Sequence, residues 1–399
     1  MWEELLRVRP WPPREAAAQK RIIGIWAAVC IILVFVFYFP IIFTPYRNTP
    51  GHEEPIINAA VSRYGILGAY HYFEPHFWQR EISAEYVYYR PVALLSHAID
   101  YRLWGANPHP SHAENIALHA ANVLLLGWLV ALLAGNWLPG MLAALLWAVL
   151  PTHAEPVSWV AARMDVLSGT FALACMLFLV MAQKRRAWAL IMPGVLLFLL
   201  AVGAKETGGM LGAVIVVWAV TAEPGARRLT AVAAGVIVIL GLAYVAFRHF
   251  AGTIIVPPQR HPFRHRGMRE HMEYLSWPLA KVYQAIEARS TLVVDWVALL
   301  RGAAKGILLL PCLGVAVVML VWRIAFYAPT LMFVQTDDRY LYAPEMGSAA
   351  LMALITWQAA LWLWRRKDVY KWLPLAGYAY LLGATMMELY GRLGLWKVQ

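Results

Sequence analysis

Charged side chains of both signs recur at the ends of long apolar runs in this sequence. Their types suit the handling of an anionic group beside a hydroxyl. Glu53 and Glu54 are adjacent and follow the first apolar run, and Arg90 stands between Tyr89 and Pro91. His153, Glu155, Arg163 and Asp165 lie close together, Lys205 and Glu206 separate two apolar runs, and Asp337, Asp338, Arg339 and Tyr340 are consecutive. The run from Pro257 to His271 carries four arginines and three histidines. An arginine fork or a lysine ammonium holds phosphate oxygens. A carboxylate within hydrogen-bond reach orients a hydroxyl and can accept its proton. Together these groups fit the transfer of a group from a phosphate leaving group to a hydroxyl.

Each cluster also has a structural reading. Glu53 and Glu54 precede Pro55 and can serve as an acidic helix start, favoured by the dipole. Positions 155, 159 and 163 are four apart, so Glu155, Trp159 and Arg163 share a face if that stretch is helical. His153, Glu155, Arg163 and Asp165 can equally stitch two helices together. Lys205 can pair with Glu206 or hold a phosphate, and Asp338 can pair with Arg339. The 257–271 run can bind lipid headgroups or form a lid over a phosphate. His52, Glu53 and Glu54, or His109, His112 and Glu114, lack the spacing of a specific metal site. No metal ligand set is therefore assigned, and a divalent cation is left open.

The elements that must position these residues are membrane helices. The chain of 399 residues is 61% hydrophobic and 14% charged, against about 45–50% and about 25% in soluble domains. Nineteen Trp and nineteen Tyr argue against disorder, and three cysteines argue against a disulfide scaffold. Cys30, Cys175 and Cys312 sit in apolar stretches and read as small hydrophobes. Continuous apolar runs disfavour a β-barrel. Ile22 to Phe43 is uncharged and long enough to span the bilayer. Further runs lie near 116–134, 138–152, 166–182, 188–203, 208–222, 229–250, 307–334, 345–364 and 372–389, with a poorer helix at 275–300. The expectation is an all-α polytopic bundle of about ten crossings, in one domain, with a polar outer segment at 44–115 and a basic one at 251–290. Basic residues at 1–21, Lys184–Arg186, Arg227–Arg228 and Arg365–Lys367 fall on one side by crossing parity. The positive-inside rule makes that side cytoplasmic, with the N-terminus. The polar clusters above then lie on the extracytoplasmic face, where charges at a membrane edge pair and line cavities. The net charge of +11 reflects this asymmetry rather than a nucleic-acid partner. No GxGxxG or GxxxxGK motif is present, which argues against a nucleotide donor.

Four segments give a resemblance to a known family. They are YYRPVALLSHAIDYRLWGANP with the following HAENIALHAANVLLL, then LPTHAEPVSWVAARMDVL, AKE, and DDRYLYAPEMG, covering about 90–370. In that order, each at an expected outer loop, they resemble the membrane glycosyltransferases of GT-C fold. The likeness is to the protein O-mannosyltransferase-like branch, with its transmembrane-and-tetratricopeptide-repeat enzymes and bacterial relatives.

The resemblance implies transfer of a sugar, mannose by family weight, from a polyprenyl-phosphate-sugar to an extracytoplasmic acceptor hydroxyl on a protein or glycan. It maps the family's acidic motif onto Glu53 and Glu54 as catalytic residues, while phosphate contacts from Arg163, Lys205, Arg339 and Tyr340 are expected from the chemistry of those side chains. Arg90, His153, Glu155, Asp165, Glu206 and Asp338 are then supporting groups. The family acidic motif is usually Asp, so Glu53-Glu54 departs from it. The sequence also stops at Gln399 without a tetratricopeptide-repeat tail. These departures leave open a catalytically silent subunit that binds lipid or scaffolds other membrane subunits. A transporter would call for midplane charges or an inverted repeat.

Overall fold

A computed structural model describes residues 17–46, 54–82, 88–253, 312–332, 337–365 and 372–398. Among the described residues the regular structure is helical throughout. The principal elements are α1 (Ala17–Tyr38), α2 (Glu54–Tyr64), α3 (Pro91–Trp104), α4 (Pro108–Ala134), α5 (Trp137–Ala148), α6 (Ala154–Ser158) and α7 (Arg163–Arg185). They continue with α8 (Ile191–Ala204), α9 (Leu211–Val220), α10 (Arg227–Phe250), α11 (Leu313–Tyr327), α12 (Pro344–Arg365) and α13 (Leu373–Val398).

Six of the described helical stretches are long and apolar enough to cross a membrane: Lys20–Phe43, Pro108–Ala134, Val160–Arg185, Pro224–Phe250, Leu313–Thr330 and Pro344–Trp364. A seventh arises if Trp137–Ala148 and Pro151–Ser158, bent by 55°, form one broken span. Trp188–Ala204 and Glu206–Val220 are shorter apolar helices. The expected run 138–152 is thus a broken helix that continues to Ser158. The 44–115 segment is itself helical in α2 and α3, and α4 begins within it at Pro108, ahead of its apolar stretch. The 275–300 helix and the 257–271 run lie outside the described residues.

Local sequence explains the tightest connection. Gly135 closes α4 with a left-handed backbone at φ 66°, and Asn136 caps α5 by accepting from Leu138 N–H at 2.8 Å. Glycine adopts that conformation without strain, and asparagine is a preferred N-cap. The two helices then cross at Gly127 and Gly140. A β-carbon at Gly140 would lie 2.2 Å from the Gly127 carbonyl oxygen and 2.9 Å from Ala131 Cβ. Small residues let membrane helices approach this closely. Gly140→Ala is therefore expected to lower the thermal unfolding temperature of the detergent-solubilised protein, at a cost of about 1–3 kcal/mol. An unchanged melting profile would mean that the crossing relaxes freely.

α7 packs between α4 and α8 and runs from Asp165 at one end of the bundle to Lys184 and Arg185 at the other. At that second end Arg186 reaches the next connection: a β-carbon at Gly225 would lie 2.9 Å from its guanidinium. The two basic clusters near Arg186 and Arg227 therefore share an end, opposite Asp165.

Candidate active site at one end of the bundle

The site is built where α7, α8, the bent pair and the 337–342 turn meet. α8 ends at Ala204 and Lys205 is extended, with φ −154° and ψ 139°. That geometry sends Lys205 and Glu206 to different partners rather than to each other. The Lys205 ammonium pairs with the Asp165 carboxylate in the first turn of α7. Glu206 accepts both arms of the Arg90 fork, Nε at 3.0 Å and Nη2 at 2.7 Å. Arg90 precedes Pro91, the first residue of α3, and lies over the Tyr88 ring at 4.2 Å. Burial pushes the Lys205 ammonium below its ordinary range, and Asp165 opposes that shift.

Arg339 and Tyr340 come to the same group from the turn before α12. Lys205 Nζ lies 5.0 Å from the Tyr340 ring centre. The Arg339 guanidinium stands over Trp159 at 4.7 Å and Tyr340 at 5.2 Å. Its backbone N–H donates to Glu155 Oε2 at 3.1 Å, and its Nη2 is 3.1 Å from Asp337 Oδ2. The Arg339 Nε–H has no hydrogen-bond acceptor among the described residues, with Glu155 Oε1 at 4.0 Å. Asp165 Oδ2 likewise lacks a donor there. Asp338 turns the other way and pairs with Arg392 of α13.

Glu155, Trp159 and Arg163 do not share one helical face. The helix breaks at Trp159, whose carbonyl accepts from Ala162 N–H at 3.0 Å and from Asn115 Nδ2 at 3.4 Å. Trp159 itself is extended, with φ −92° and ψ 114°, and the bond from Ala162 opens the 3-10 turn Val160–Ala162 that leads into α7. Glu155 consequently faces Arg339, whereas Arg163 enters the core at 1% exposure. There Arg163 meets Asp100 at 2.5 Å, Glu114 at 3.4 Å, Asn115 Oδ1 at 2.7 Å and the Ser111 carbonyl at 2.9 Å. It thus ties α3 and α4 to α7.

His153 is fully buried and points away from Glu155. Its Nε2 lies 3.4 Å from Glu345 Oε2, and that oxygen accepts from the Thr152 hydroxyl. Its ring packs against Trp147 and Tyr342. Tyr342 hydroxyl in turn meets His119 Nδ1 at 3.0 Å and Asn122 Nδ2 at 3.1 Å. These contacts pin the bent pair to α12, and so fix Glu155 relative to Arg339. Glu54 begins α2, which packs on α3 and touches the 160–162 turn. Glu53 lies outside the described residues. His109 and His112 bond the Ile42 carbonyl and Thr44 instead of joining Glu114. No three His, Cys, Asp or Glu side chains among the described residues gather to hold a metal ion.

No family profile matches the chain. Its architecture is similar to that of an oligosaccharyltransferase of Archaeoglobus fulgidus tethered with an acceptor peptide, at a TM-score of 0.55 and 13% identity over 92% of this chain and 55% of that one. The oligosaccharyltransferase AglB of the same organism, in complex with an inhibitory peptide and a dolichol-phosphate, gives 0.56 and 10% over 96% and 56%. The fold is GT-C. In sequence this GT-C chain is similar to protein O-mannosyl-transferase tmtc2 of Xenopus laevis, 34% identical over 30% of this chain and 15% of that protein. It is also similar to protein O-mannosyl-transferase Tmtc1 of Drosophila melanogaster, 33% identical over 33% and 16%. The matched stretches are thus a small part of these relatives, and the chain spans about half of the archaeal enzymes.

Three residues of the GT-C chain's polar end escaped the sequence reading. Asp100 and Glu345 sit inside segments whose other residues drew attention. Arg392 lies in the last apolar helix with Glu388 four residues earlier, at 3.0 Å. An i, i+4 pair of opposite charge in an apolar helix was the available signal.

Proposed function

We propose that the chain is an integral-membrane glycosyltransferase that moves a mannose-like sugar from a polyprenyl-phosphate-sugar to an acceptor hydroxyl on the extracytoplasmic face. The observation that carries this reading is the meeting of Lys205, Arg339 and Tyr340, with an Arg339 Nε–H left without an acceptor among the described residues. The donor phosphate receives that N–H, and the Lys205 ammonium adds positive charge beside it. Charge developing on the leaving phosphate is stabilised by donors already in place. Glu155 and Asp337 hold the guanidinium without saturating it. Glu54 orients the acceptor hydroxyl and takes its proton. The dolichol-phosphate bound to the archaeal enzyme and the O-mannosyl-transferase names of the sequence relatives support the donor class and the sugar.

The test is binding of polyprenyl phosphate to the full chain in lipid nanodiscs, alongside transfer of label from a polyprenyl-phosphate-mannose. Arg339→Ala is expected to weaken binding about ten- to a hundredfold, as for loss of a charge-assisted hydrogen bond. Wild-type protein that binds no polyprenyl phosphate would overturn the reading and favour a silent scaffold.

The orientation belongs to the same proposal. The N-terminus and the Lys184–Arg186, Arg227–Arg228 and Arg365–Lys367 clusters are cytoplasmic, which places Lys205 and Arg339 outside. A cysteine introduced at Arg185 is expected to resist an impermeant thiol reagent in intact cells and to react after permeabilisation. Labelling without permeabilisation would invert the topology.

A further inference from the structure

We propose that Arg392, on the last helix, is a positioning residue for the phosphate end of the site: it holds Asp338 against α13 so that this carboxylate does not neutralise the adjacent Arg339. The inference rests on the reading of Arg339 as a donor-phosphate contact.

Asp337, Asp338 and Arg339 are consecutive, so two carboxylates flank one guanidinium in the sequence. Their side chains take different courses. Asp337 lies 3.1 Å from Arg339 Nη2, whereas Asp338 pairs with Arg392 Nη1. Arg392 is itself steadied by Glu388, at 3.0 Å from its Nη2. A second contact fixes the same helix end: Trp396 packs against the Trp159, Ala161 and Ala162 cluster. Trp159 is the ring beneath Arg339. The last helix therefore grips both walls of the Arg339 position, one by charge and one by packing.

The electrostatic consequence has a definite sign. The charged groups acting most strongly on Asp338 are Arg392, then Glu345 and Glu388, and Glu155 also faces it. Burial pushes its carboxyl above the usual carboxylate range, and Arg392 draws it back. Without Arg392 the strongest charges left on Asp338 are carboxylates, and the adjacent Arg339 is the cation to which its side chain can turn. An incoming phosphate would then compete with one more carboxylate for the same guanidinium.

The experiment measures polyprenyl phosphate binding to the full chain in nanodiscs, with thermal unfolding recorded for each variant. Arg392→Ala and Arg392→Gln are each expected to weaken binding about three- to tenfold, the scale of a partly buried ion pair. Asp338→Asn placed in the Arg392→Ala protein is expected to restore affinity to within about twofold, because the uncompensated carboxylate is gone. Arg392→Lys keeps the charge and is expected to keep most of the affinity. A helix that acts by packing alone would not be rescued by Asp338→Asn, and that result overturns the proposal. Wild-type affinity in both Arg392→Ala and Arg392→Gln also overturns it. If Arg339→Ala binds as the wild type does, the phosphate reading falls and this inference falls with it. If Arg339→Ala weakens binding and the Arg392 variants do not, only the role of Arg392 is lost.

Discussion

Glu54→Gln is expected to abolish sugar transfer while leaving folding and donor binding nearly intact. A neutral acceptor hydroxyl is a poor nucleophile, and a positioned carboxylate that takes its proton contributes about 10²–10⁴ in rate. Gln keeps the size and the hydrogen bonding of Glu but cannot take that proton. The position is favourable: Glu54 starts α2, and α2 touches the 160–162 turn beside Arg339's platform residue, Trp159. A carboxylate at a helix start contributes little to stability beyond the dipole term. The measurement is transfer of label from a polyprenyl-phosphate-mannose to an acceptor, with donor retention and thermal unfolding as controls. Glu53→Gln serves as comparison and is expected to lose less. Wild-type turnover in Glu54→Gln would remove Glu54 as the base. A variant that no longer folds would assign the residue to structure instead.

Arg163→Ala is expected to fail at a different level. This guanidinium is 1% exposed and bonds Asp100, Asn115 and the Ser111 carbonyl, with Glu114 nearby. Removing one partner of a buried pair strands the other charge, at a cost of about 3–5 kcal/mol. Arg163→Lys offers no fork to span α3 and α4 and is expected to recover little. Asp100→Asn added to Arg163→Ala removes the stranded carboxylate and is expected to recover part of the loss. Thermal unfolding of the three variants distinguishes the cases. A stable Arg163→Ala protein with weakened polyprenyl phosphate binding would instead make Arg163 a direct donor contact.

The helical membrane architecture was legible because apolar length and basic flanks are local properties. Lys184–Arg186 and Arg227–Arg228 share an end in the structure, as their parity implied. Partner choice was less legible. Lys205 and Glu206 are neighbours in sequence, yet the extended backbone at Lys205 sends one to Asp165 and the other to Arg90. Asp338 and Arg339 also go to different partners, Arg392 for the one and Asp337 with Glu155 for the other. The shared face expected for Glu155 and Arg163 fails because Trp159 is extended, at ψ 114°, so the helix that carries Glu155 ends there and a new one starts after it. A break at one backbone dihedral leaves no trace in the spacing of charged residues.

The short helices on either side of Lys205 set the depth of the site. At 1.5 Å per α-helical residue and about 2.0 Å per 3-10 residue, Trp188–Ala204 and Glu206–Val220 rise only about 27 and 25 Å. The hydrocarbon layer is about 30 Å thick, and any tilt shortens their reach further. On the proposed orientation, with their basic ends at the cytoplasmic surface, the Lys205 turn would stop a few ångströms short of the other. The proposed donor phosphate would then have to sink to meet it, or the bilayer to dimple there. Bilayer thickness would become a variable of the proposed reaction: shorter acyl chains would bring headgroups down to the turn, and longer ones would lift them away from it.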